Sequence, residues 1–147
     1  MDISKKQLLD FLKSHRVGVL SVQLKDGSPH GATMHFSHQE SPTKLFFLTD
    51  RNYRKCEALL EDNPVRGSFV VGFSEEEMKT LQLDGVVRVV SDANKLALLK
   101  EVHFKKIPTA KEYENDPDSI FLEFLPTWWQ YSDYNTEPET RISSDLL

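Results

Sequence analysis

Arg51, Arg54 and Lys55 crowd a short stretch directly after Thr49, where helical spacing begins at Tyr53, Cys56, Leu59 and Leu60. A helix N-terminus is already the positive end of a macrodipole, so each cation placed there is opposed by ~0.3 kcal/mol or more. An anion resolves the conflict. Backbone N–H groups, the Thr49 hydroxyl and the neighbouring cations make a cradle for phosphate, although no glycine-rich loop is present. A solvated helix end whose cations pair with Asp50 or Glu57 accounts for the same residues equally well.

Other residue types offer less. His35 and His38 stand an odd number of positions apart on one expected strand and so point to opposite faces; with no H-E-x-x-H run or cysteine cluster, no metal site is expected. Cys56 falls on an apolar stripe and reads as a small core residue rather than a nucleophile. No G-x-S-x-G elbow is present, and Glu75, Glu76 and Glu77 read as a solvated turn. Trp128 and Trp129 are neighbours on an expected strand and face opposite sides. One can cover a planar ligand while the other packs inside; burial of both, in the core or between two copies of the chain, is the alternative.

The elements that must position these residues follow from periodicity. Ser4 with Gln7 forms a capping box, and Ile3 with Leu8 a hydrophobic staple, opening a helix that buries Leu8, Phe11 and Leu12. From Arg16 to Lys25 the period drops to two, and after the turn Asp26, Gly27, Ser28, Pro29 a second strand alternates through Ala32, Met34 and Phe36. A Ser41-Pro42 turn leads to a buried strand over Leu45 to Thr49, and the following helix stops at Asn63-Pro64. Long strands are expected over Val65 to Phe73 and Lys79 to Val90. Asp92 caps a helix through Leu96, Leu99 and Val102, and a last strand runs from Ile120 to Leu125. Pro126 marks an edge or a bulge, and a polar, mobile tail is expected from Asn135. Hairpin-length turns between strands favour an antiparallel barrel over a doubly wound parallel sheet.

Composition narrows the class. With 147 residues, 39% of them hydrophobic, the chain can bury one core but has no room for a second domain. A net charge of -5 repels nucleic acid and anionic lipid surfaces, so neither is an expected partner. The single cysteine and the absence of a long apolar run fit a cytoplasmic protein.

From Arg16 to Asp92 the order of strand, DGSP turn, ATMHF strand, KLFFLTD strand, RKCEALLEDNP helix and LQLDGVVRVVSD strand resembles the FMN-binding split barrels related to pyridoxamine 5'-phosphate oxidase. The resemblance implies an α+β fold: a six-stranded antiparallel split β-barrel of Greek-key type with peripheral helices, over residues 1–134, with the tail at 135–147. It implies that Arg54 and Lys55 hold the FMN phosphate and that Leu48 and Thr49 line the flavin. The second strand, through Ala32, Thr33, Met34, His35, Phe36 and Ser37, would follow the ring and ribityl chain largely through backbone groups. Thr80 and Gln82 are the polar candidates ahead of Gly85, and Trp128 is the tryptophan assigned to the flavin. The resemblance further implies a homodimer with flavin at the interface and redox transfer to an unidentified small molecule. A non-catalytic flavin-sequestering protein, or the same barrel holding haem or a deazaflavin, are the alternatives. Ala32 stands where the oxidase has an arginine on the phosphate, Ser37 where it has a lysine, and the tail offers Arg141 but no histidine. Oxidation of pyridoxine phosphate itself is therefore not expected.

Overall fold

The computed structural model describes residues 3–61, 64–72 and 74–144. The side chain of Ile3, the stop at Asn63 and the strand end at Phe73 lie outside the described residues. Helix α1 spans Ile3–Ser14 and puts Leu8, Leu9, Phe11 and Leu12 into the core. It already includes Ser4, so the expected cap residue sits inside the first turn.

Among the described residues, eight strands form one antiparallel sheet, in the order β2-β1-β5-β6-β7-β4-β3 with β8 on β7. They are β1 (Val17–Gln23), β2 (Pro29–His35), β3 (Ser37–Glu40), β4 (Thr43–Asp50), β5 (Val65–Val71), β6 (Lys79–Val90), β7 (Ser119–Asp133) and β8 (Thr140–Ser143). The ends of that order are β2 and β3, yet Phe36 alone separates them along the chain. The sheet must therefore curl until its two ends meet, and the inward-facing residues fill the interior. Phe36, Phe47, Phe69 and Phe124 are fully buried there, with edge-on ring contacts at 5.1 Å between Phe69 and both Phe36 and Phe47.

The count is eight strands rather than six because β3 and β8 carry almost no apolar alternation. Their sequences, SHQE and TRIS, become strands by pairing with β4 and β7. β8 also corrects the expected tail, since residues 140–143 pair with residues 130–133 of β7. Strand β7 runs on past Leu125, the expected strand end, and carries near Pro126 the bulge expected there. The irregularity there is a register shift: Pro126 faces Gly85 and Trp128 faces Asp84, leaving Thr127 as the extra residue. Gly85 is required at this crossing, because a Cβ on it would collide with the carbonyl oxygen of Leu125.

Helix α3 (Ala93–Lys106) begins where expected, with the Asp92 carboxylate accepting from Lys95 N–H at 3.0 Å. It packs Leu96, Leu99, Val102 and Phe104 on an outer cluster with Phe46, Val90 and Phe121. Near that cluster Glu123 is buried between Lys44 at 3.5 Å and Arg88 at 3.3 Å. Among the described residues no helix is long and apolar enough to cross a membrane.

Candidate functional site

Where β4 ends, the chain turns before it coils. The Asp50 carboxylate accepts from Asn52 N–H at 2.8 Å, and Cys56 N–H donates to the Tyr53 carbonyl at 2.9 Å. Arg51, Asn52, Tyr53 and Arg54 are exposed and give an earlier helical turn nothing apolar to bury. Helix α2 (Cys56–Leu59) is accordingly one turn, in place of the longer helix expected from Tyr53 to Leu60. So short a helix carries little macrodipole, and the conflict between dipole and cations is not what singles out this stretch.

Burial singles it out instead. Lys55 is only 4% exposed, and no carboxylate among the described residues pairs with it. Asp50 is engaged by Asn52, and Glu57 approaches Lys25 at 4.0 Å. The Lys55 ammonium lies 4.4 Å from the centroid of the Tyr53 ring, within reach of a cation–π contact. Burial holds its pKa below the usual lysine range. Thr49, 7% exposed, has a buried Oγ1 with no hydrogen-bond partner among the described residues. A buried hydroxyl in that state costs about 1–3 kcal/mol unless a ligand completes it. Cys56, fully buried with its thiol pKa raised by burial, is a core residue.

Thr49, Arg54 and Lys55 border a cleft of about 850 Å³. One wall is β2, through Ala32, Thr33, Met34 and His35; another is β4 with Leu48. The third comes from the end of α3 and the 3-10 helix Pro108–Tyr113, including His103, Ile107 and Tyr113. A mostly apolar cleft with a few convergent polar groups is the form a small-molecule site takes.

Thr80, Gln82 and Trp128 do not border this cleft. The strand pairings place Thr33, Val19, Val70, Gln82 and Gln130 in one row across the sheet. Gln82 is three strand spacings from Thr33, about 14 Å. Trp129 packs against the core, whereas Trp128 lies on the opposite face, half-buried. Thr80 Oγ1 donates to the Val71 carbonyl at 3.2 Å.

His103 is among the cleft residues that sequence reasoning passed over, with His30, Ile107 and Tyr113. It is 1% exposed, and its Nδ1 lies 2.7 Å from Ser37 Oγ. Burial, then the proximity of His35 and Lys106, pushes its pKa down to about 4. The signal was available: His103 stands four residues after Leu99, on the inward stripe of α3.

The family model for pyridoxamine 5'-phosphate oxidase matches residues 4–133. The chain belongs to that family. No curated protein matches it at a significant level. Among solved structures, a heme-binding protein from Mycobacterium smegmatis superposes with a TM-score of 0.79 at 15% identity, covering 98% of this chain and 58% of its own. The chain thus spans little more than half of that neighbour. A Clostridium acetobutylicum protein of the pyridoxine phosphate oxidase family, related to general stress protein 26, gives 0.71 at 16% identity and covers 97% and 95%. The heme storage protein of Vibrio cholerae gives 0.69 at 16% identity, covering 82% and 88%. These structures share the curled antiparallel barrel, and at such identities the likeness speaks to fold alone.

Proposed function

We propose that the protein binds FMN in this cleft and acts as a flavin-dependent oxidoreductase on a small molecule that its residues do not name. One observation carries the reading: the Lys55 ammonium, buried and, among the described residues, without a carboxylate, stands with the similarly unpartnered Thr49 hydroxyl on the border of a ligand-sized cleft. A phosphate dianion satisfies both, and exposed Arg54 adds a second cation. Bound flavin supplies the redox chemistry. The chain's own residues hold the phosphate through Lys55, Arg54 and Thr49, and offer β2 from Ala32 to His35 as a wall for the rest of the molecule. Leu48 and Ile107 exclude water from it.

The outer face of the sheet supports a homodimer with the flavin between subunits. Val19 and Val70 are direct partners on that face, half-buried and apolar, between Thr33 at the cleft and Gln82 beyond its reach. A second copy covering the face brings Thr80, Gln82 and Trp128 toward the flavin of its partner.

Haem is the second reading, and His30 and His35 on the cleft border favour it, since imidazole ligates iron. Titration of ligand-free protein with FMN, riboflavin and haem separates the two. FMN binding well above riboflavin supports the flavin reading; haem uptake without FMN uptake overturns it. A flavin that binds but, once reduced, passes electrons no faster than free FMN identifies a sequestering protein rather than an enzyme.

A further inference from the structure

The cleft has a polar wall that the proposed phosphate end does not use. Ser37, at the start of β3, is fully buried, and its Oγ lies 2.7 Å from Nδ1 of His103 near the end of α3. Neither residue hydrogen-bonds through its side chain to any other described group, and His103 borders the cleft. Nε2 of His103 is therefore left for whatever occupies the cleft.

The proton positions follow from satisfying the pair. A neutral imidazole has one N–H and one lone pair, and a hydroxyl has one hydrogen to place. If Nδ1 carried the proton and donated to Ser37, the buried hydroxyl hydrogen would have no acceptor. With Ser37 O–H donating to Nδ1, both polar groups are satisfied and the ring proton resides on Nε2. The ring stays neutral near pH 7, because burial and its neighbours His35 and Lys106 disfavour a second proton.

We infer that His103 is a specificity-determining residue whose Nε2–H, oriented by Ser37, donates to an acceptor atom on the planar ring of the bound ligand, a carbonyl oxygen or an unprotonated ring nitrogen. The inference rests on the flavin reading above and adds the end of the molecule that reading leaves unassigned. Position supports it. Ser37 pairs with Phe46, and Thr49 lies three places further along β4, roughly 10 Å at the rise of a strand and on the opposite face, yet Thr49, Lys55 and His103 all border the one cleft. A ligand anchored by phosphate at Thr49 and Lys55 meets His103 with its ring and not with its phosphate. The donor is indifferent to whether a phosphate is present, so it recognises FMN and riboflavin alike.

The test is a titration of wild type, His103→Phe and His103→Gln with FMN and with riboflavin, read by quenching of flavin fluorescence. Loss of one neutral hydrogen bond weakens both flavins by about three- to tenfold in His103→Phe, which keeps a flat aromatic ring without the N–H. His103→Gln retains an N–H at similar reach and restores affinity to within about twofold. A merely structural role moves melting temperature in both variants and does not separate them in affinity. Nitrogen-15 spectra of the ligand-free protein give a second readout, with the His103 proton expected on Nε2. Unchanged affinity for both flavins in His103→Phe, or a proton found on Nδ1, overturns the inference while leaving the phosphate assignment standing. Wild-type protein that takes up neither flavin overturns the cofactor reading and this inference together.

Discussion

The Lys55 ammonium rests 4.4 Å from the centroid of the Tyr53 ring, buried, with no described carboxylate beside it. A charge desolvated to this extent without an ionic partner lowers the stability of the ligand-free protein and raises affinity for an anion. Lys55→Met keeps the stem and removes the charge. We expect the ligand-free protein to melt at the same temperature or higher, and FMN affinity to fall by about tenfold to a hundredfold, with riboflavin unaffected. The FMN contribution should weaken with added salt. Lower stability of the ligand-free variant with unchanged FMN affinity would refute the phosphate assignment.

Acid should destabilise the ligand-free fold through two histidines. His38, chiefly by burial and then by Lys106, and His103, by burial and then His35, are both pushed down to about 4. The unfolded chain takes up these protons below its ordinary histidine pKa of 6.5, whereas the folded chain does so only near 4. Stability is thus complete above about pH 6.5 and is lost as pH falls toward about 4, at up to about 1.4 kcal/mol per pH unit for each histidine. Urea melts across this window should show the slope, and His38→Gln should remove about one proton from it. A flat profile would mean that these rings are not held neutral.

Gly85→Ala should be among the costliest single-methyl additions in the sheet. The new Cβ would meet a backbone carbonyl, that of Leu125, which cannot retreat without breaking the β6–β7 ladder at its bulge. A loss of about 1–3 kcal/mol is expected in equilibrium unfolding. A neutral substitution would show that the bulge relaxes freely.

Val70→Arg tests the dimer. Val70 projects from the outer face, opposite its core neighbours Phe69 and Val71, and pairs with Val19. A cation there leaves a monomer's fold intact but opposes a second copy seated on the same face. Sedimentation should report a wild-type dimer and a monomeric variant with reduced FMN affinity. A wild-type monomer that binds FMN fully would remove the interface from the site.

How much of this was legible depended on whether a residue's type or its partner determined its structure. β1, β5 and β6 announce themselves through alternation, because one face of each is buried. β3 and β8 do not, since polar tetrapeptides become strands only when β4 and β7 lie beside them. The crowding of Thr49, Arg54 and Lys55 was visible as charge chemistry, but its physical basis is burial after a turn, which depends on what packs around Lys55. His103 carried its signal in helical spacing. Its partner Ser37 sits 66 positions away, a pairing that periodicity cannot express.

Strand β7 links two pieces that are otherwise separate in the sheet. Without it, the pairings leave β2-β1-β5-β6 as one fragment and β4-β3 as another. Because β7 begins at Ser119, a chain emerging from the ribosome holds both fragments, each with an unsatisfied edge, until β7 itself is made. Closure of the barrel therefore depends on long-range pairing, the kind of contact that slows folding and leaves strand edges open until it forms. Truncation before Ser119 would not trim the sheet but divide it.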